Sequence, residues 1–121
     1  MQRFRFLTDR VHGVLDYGVV LIFALAPSLL GITGTAAVQS YVTAGVQLVM
    51  TLLTDMPLGV VKLIPLKVHG TVELIVGLAL IAMAWTVSSL ESGQLFFTLM
   101  GAIIFFVWVS SNYGDPKIQD A

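Results

Sequence analysis

The chain contains no cysteine, which excludes disulfides, thiol redox chemistry and thiolate metal ligands. Charge is scarce. Only 11% of the 121 residues are Asp, Glu, Lys or Arg, against about a quarter in soluble domains. The formal net charge is -1, and no basic patch interleaved with aromatics occurs, so a nucleic-acid partner is not expected. No segment alternates apolar and polar residues with period two, which argues against a β-barrel. Gly-rich phosphate loops and a Ser/His/Asp set in a defensible context are missing too, so nothing here calls for an enzyme. Histidine occurs only twice, as His12 and His69.

What remains is apolar. Hydrophobic residues make up 57% of the chain, and Tyr17 to Thr54 holds no Asp, Glu, Lys, Arg or His at all. Leu74 to Leu90 and Ser92 to Gly114 are likewise uncharged. Runs of that length suit membrane-spanning helices of about 20 residues, and helices satisfy their own backbone in lipid. The reading is all-α: one integral membrane domain, 1–121, forming a four-transmembrane-helix bundle in a lipid bilayer. The spans are predicted near 11–31, 36–54, 66–87 and 94–111. The run from Val14 to Ile32 is long for a signal-peptide core, so the first segment is expected to stay as a span. Pro27 is expected to kink or relax its last turn.

Arg3, Arg5 and Arg10 precede the first span, Lys62 and Lys67 lie between the second and third, and Lys117 follows the fourth. The other two loops carry only Glu91. The positive-inside rule then places both termini and the middle connector in the cytoplasm. That connector, "DMPLGVVKLIP", is too apolar for a solvated loop. It is expected to lie in the headgroup interface or to fold back on the bundle.

An offset of 57 positions runs through the sequence. His12 pairs with His69, Gly13 with Gly70, Asp16 with Glu73, and Thr54-Asp55 with Ser111-Asn112. Two tandem helical hairpin repeats follow, about 10–56 and 67–113. Each hairpin has two spans, so the halves share one orientation. A pseudo-twofold along the membrane normal is expected to relate them. If the first and third spans are neighbours, four titratable groups converge near one membrane face.

The stretches "HGVLDYGVVLIFALAPSLLG" and "HGTVELIVGLALIAMAW" resemble the paired copies of the SPW-repeat family of small integral membrane proteins, mostly bacterial. Each copy in that family carries a His and an acidic residue before a Ser-Pro-Trp motif. Here Ala26-Pro27-Ser28 keeps only the proline and Met83-Ala84-Trp85 only the tryptophan. "KVHGTVELIVGLALI" also resembles one helix of the DoxX-like four-span proteins. The resemblance implies the fold and a bacterial inner-membrane location, and no activity.

Residues four apart share a helix face, so His12 stacks on Asp16 and His69 on Glu73. Several readings follow. In the first, the histidines sit at the interface and bond headgroups, carbonyls or their own acids, and the protein is a small structural or accessory membrane component, self-assembling or part of a larger complex. In the second, His12, Asp16, His69 and Glu73 supply two nitrogens and two oxygens to one metal ion, zinc or iron. Axial haem ligation by the histidines is a remoter cofactor reading, since both lie at helix ends. A proton or ion relay is the last, with Gln39 and Gln47 extending a polar path. For those two amides the plainer expectation is interhelical hydrogen bonding. Trp85, Tyr41, Trp108 and Tyr113 are expected to form an aromatic belt. Gly77 and the Gly101-Ala102 notch are expected to let a neighbouring helix come close.

Overall fold

The computed structural model describes residues 8–111. Arg3, Arg5, Asn112, Tyr113 and Lys117 lie outside them. Four α-helices follow in order: α1 Asp9–Leu30, α2 Gly34–Leu53, α3 Leu66–Thr86 and α4 Gln94–Ser110, with a 3₁₀ turn at Ser88–Gly93 before α4. All four are long and apolar enough to cross a membrane, the architecture of a multi-pass membrane protein.

Each helix begins and ends for a local reason. The hydroxyl of Thr8 accepts from the Val11 amide at 3.3 Å and caps α1. Pro27 sits inside α1. Its missing N–H leaves the carbonyl four residues back, that of Phe23, without an intrahelical donor. Ser40 on α2 fills the gap, donating its hydroxyl to Phe23 O at 2.6 Å in a buried contact. The proline is thereby tolerated without breaking the helix, and α1 is tied to α2.

Packing is tightest within each hairpin, α1 on α2 and α3 on α4. In the second hairpin the backbones meet at two glycines. A Cβ on Gly101 would come within 2.6 Å of the Gly77 carbonyl, and one on Gly77 within 3.2 Å of the Gly101 carbonyl. The expected close approach at Gly77 and Gly101 is therefore met inside the chain. The bulky run of α4 is split between two environments. Phe97, Met100, Ile104 and Val107 enter the core, while Leu95, Leu99, Ile103 and Phe106 face outward. Phe23, Phe96 and Phe97 stack edge-on and tilted through the α1–α4 contact, with centroids 5.3 and 5.5 Å apart. At the far end, Ser92 clasps the α1–α2 loop through Thr33 N and O, both at 3.2 Å.

The connector folds back. The Val60 and Val61 amides donate to Leu52 O, and those of Leu63 and Ile64 to Leu53 O, at 2.8–3.0 Å. These carbonyls belong to the last turn of α2, where no helical donor remains. Asp55 N to Ile64 O at 2.8 Å closes the loop. Val60 and Leu63 stay exposed on its outer side, as an interfacial segment would.

A buried two-histidine, two-carboxylate centre

His12 and Asp16 lie in the first two turns of α1, and His69 and Glu73 in those of α3. Facing turns of two helices bring the i, i+4 pairs together, and all four side chains are buried, at 0–3% exposure. Each histidine contacts its own acid, one of the partners the structural reading allows, and is buried inside the bundle. They are core residues, because the connector covers this end: Leu58 rests on Gly13, where a Cβ would stand 3.0 Å from it, and Tyr17 donates to Leu58 O at 2.8 Å.

One donor atom from each residue lies within 4.8 Å of the other three. His12 Nε2 stands 3.1 Å from Asp16 Oδ2 and 3.0 Å from Glu73 Oε1. His69 Nε2 stands 3.0 Å from Asp16 Oδ2 and also contacts Glu73 Oε1. Nitrogens and oxygens thus alternate around a common centre. The rings meet edge to face, with centroids 5.6 Å apart. A porphyrin between them would have to displace both carboxylates, so the arrangement does not fit axial haem ligation.

The outer ring nitrogens decide which way the inner ones face. His12 Nδ1 lies 2.6 Å from Ser111 Oγ, and that hydroxyl donates to Val107 O at 2.5 Å. His69 Nδ1 lies 2.6 Å from Thr54 Oγ1, which donates to Met50 O at 2.5 Å. A hydroxyl has one proton to give. Each has given it to a carbonyl, so each must accept from the imidazole, and Nδ1 carries a hydrogen in both histidines. In the neutral rings both Nε2 lone pairs then point at carboxylate oxygens, acceptor against acceptor. Among the described residues no Lys or Arg approaches either acid within ion-pair distance. Asp16 Oδ2, though close to both Nε2 atoms, meets neither in hydrogen-bond geometry and has no other donor. Such an arrangement needs added protons, on the rings or on the acids, or a metal ion at its centre.

The structure brings together all four residues singled out from the sequence. Thr54 and Ser111 were visible only as an offset pair; their part in orienting the rings was not. The signal was there, since they follow α2 and α4 at the same 57-residue spacing as the histidines they touch. The amides depart from expectation. Gln39 donates within its own helix to Thr43 Oγ1 at 3.4 Å. The Gln47 side chain has no hydrogen-bond partner among the described residues and lies beside Glu73. Trp85 is exposed and donates to Thr98 Oγ1 at 2.9 Å.

No protein-family model, curated protein or solved structure matches the chain.

Proposed function

We propose that the chain is a metal-binding membrane protein in which one divalent transition-metal ion, held by His12, Asp16, His69 and Glu73, ties the two hairpins together. The observation that carries this reading is the orphaned Asp16 Oδ2 at 3.0–3.1 Å from two Nε2 atoms whose outer nitrogens are already committed. Protons on the rings alone do not relieve it. Even with both rings charged, the hydrogen bonds go to Glu73 Oε1, and Asp16 Oδ2 stays unpaired.

The donor set suits the ion. Two imidazoles and two carboxylates match zinc, iron(II) or manganese(II). Ligand bonds of about 2.0–2.1 Å in tetrahedral geometry set donors roughly 3.3 Å apart, near the three His–carboxylate separations of 3.0–3.1 Å, so a bound ion would have to part His69 from Glu73 and adjust the remaining pairs. Two carboxylates neutralise a divalent ion, which favours burial away from water. The hydroxyls of Ser111 and Thr54 supply the outer hydrogen bonds that ligating histidines usually make. A closed four-ligand set is the structural kind of site, which joins the metal reading to that of an accessory membrane component.

The same reading covers origin and orientation. The 57-residue offset and the SPW-repeat resemblance support descent from a duplicated hairpin, with the halves about a pseudo-twofold and the metal centre near their shared axis. Arg10, Lys62 and Lys67 lie in or beside the segments at the metal-bearing end, and Glu91 at the other, which supports that end facing the cytoplasm of a bacterial inner membrane. Because the chain lacks cysteine, Ser92→Cys tests this directly. The thiol should react with an impermeant reagent only from the opposite side, and reaction from the cytoplasmic side overturns the orientation.

The decisive experiment is elemental analysis of detergent-purified protein beside the His12→Ala/His69→Ala variant. One transition-metal ion per chain in the first and none in the second is expected. A metal-free protein that also fails to take up Zn²⁺, Fe²⁺ or Mn²⁺ overturns the reading.

A further inference from the structure

The seam between α2 and α3 is not closed. A crevice of about 200 Å³ runs along it from Gln39 and Met83 at one end to Met50 and Glu73 at the other. Its length is about 16 Å, the eleven rises of 1.5 Å between positions 39 and 50. Val42 and Val46 at its mouth are exposed on the outer face of the bundle, so in a membrane it opens sideways to lipid. Its walls are mostly apolar, and the polar groups are Gln39, Thr43 and Gln47 along α2 and Glu73 on α3. The first two satisfy each other, Gln39 donating to Thr43 Oγ1 and Thr43 to Gln39 O at 2.8 Å. Gln47 does not take part. Its side chain is nine-tenths buried, has no partner among the described residues, and lines both the crevice and a void of about 10 Å³ beside Asp16 and Glu73.

An unpartnered amide in a dry seam is expensive, roughly 1–3 kcal/mol, and a second molecule can supply its missing bond. The slot specifies that molecule. It is long and narrow, which suits one hydrocarbon chain and not a ring system. It opens to the bilayer and not to water. Neither Lys nor Arg lines it, so a phosphate or other anionic head would find no counter-charge and would meet the Glu73 carboxylate. We infer that the α2–α3 crevice binds a single-chain, uncharged amphiphile from the bilayer, its hydroxyl or carbonyl head hydrogen-bonded to Gln47 beside Glu73 and its chain lying along the slot toward Met83. The head end lies nearer the membrane surface, about 10 Å along α3 from its start at Leu66, the orientation of an amphiphile in that leaflet. Binding of this kind stands on the crevice and Gln47, whether or not the four-residue centre holds a metal.

The test is photolabelling in phosphatidylcholine vesicles with dodecanol carrying a diazirine on its chain. Adducts should concentrate in residues 39–50 and 72–83 and be competed by dodecanol, but not by dodecane or dodecyl phosphate. Gln47→Leu should lower crevice labelling about fivefold, the equivalent of one neutral hydrogen bond of ~1 kcal/mol. Ala79→Phe, on the half-exposed wall, should abolish it while the protein still elutes as a single folded species. Labelling spread evenly over all four helices, or unchanged in Ala79→Phe, overturns the proposal. So does rapid reaction of Thr43→Cys with a charged, membrane-impermeant thiol reagent, because that would make the crevice an aqueous ion path.

Discussion

The bundle has two seams between its hairpins, and they are filled differently. At the α1–α4 seam Phe23, Met100 and Ile104 are buried and Phe96 stacks on Phe23, and the hollow of about 240 Å³ beside Phe96 has no polar lining. At the α2–α3 seam the positions 57 residues away are occupied by Leu80, Thr43, Gln47 and Gln39, and a crevice remains. Two aromatic rings and two large aliphatic side chains on one side correspond to one leucine, two amides and a hydroxyl on the other. Near the shared centre the opposite holds: His12 matches His69, Asp16 matches Glu73 in charge, and Ser111 matches Thr54 in its hydroxyl. Matching contacts around the centre and divergent seams argue that the two features answer to different demands. The centre draws one histidine and one acid from each half. A seam carries no such demand, and one of them has exchanged aromatic and aliphatic side chains for amides and a hydroxyl.

The largest effect should come from truncating the aromatic seam. Phe23 is fully buried, and Phe23→Ala should destabilise the bundle by about 3 kcal/mol, the lower end for a large aromatic truncation. Reversible unfolding in mixed micelles measures this. Leu80→Ala at the matching position should cost less, because one side of Leu80 already faces the crevice. Equal losses would mean that the seams are equivalent in energy.

Next come the ring-orienting hydroxyls, which test the matched part. Thr54→Val and Ser111→Ala should each weaken metal affinity by roughly 10–100-fold, the usual effect of removing an outer hydrogen bond to a ligating histidine. Competition with a chelator reads the change. The two effects should agree within that range; a loss confined to one variant would show that the halves contribute unequally.

A smaller effect is expected at Ser40. Ser40→Ala strands the buried Phe23 carbonyl and should destabilise by about 1–2 kcal/mol. Adding Pro27→Ala restores the helical N–H and should recover most of that loss in the same unfolding assay. Failure of the second change to rescue the first would show that Ser40 acts through packing instead. Last, Gln47→Leu should be nearly neutral or slightly stabilising in lipid-free detergent, since it removes an unpartnered amide. Destabilisation of a full kilocalorie or more would mean that the amide has a partner within the chain.

Much of this was legible beforehand because lipid imposes a coarse grammar. Charge-free runs of membrane length delimited α1 to α4 to within a few residues, and the i, i+4 spacing of His12 with Asp16 and of His69 with Glu73 marked the site. The burial of the site was not legible. The apolar connector left two paths open, the interface or a return onto the bundle, and the return over α1 rests on backbone bonds from Val60 to Ile64 that no side-chain pattern announces. The role of Ser40 was equally hidden, since a serine in a small-residue helix reads as packing until Pro27 is seen opposite it. Gln47 misled for a related reason. An intramembrane amide is expected to find a neighbour, and here the neighbouring helix stands back.

The hydroxyl partners of the histidines also impose an order on assembly. Each imidazole is held by the other hairpin: His69 by Thr54, which leaves the ribosome before it, and His12 by Ser111, which is made nearly a hundred residues after it. During synthesis the first histidine of the chain is therefore the last to be set in place. On the metal reading proposed above, capture of an ion would mark the moment when α4 has been inserted, and metal content alone would distinguish finished from truncated copies.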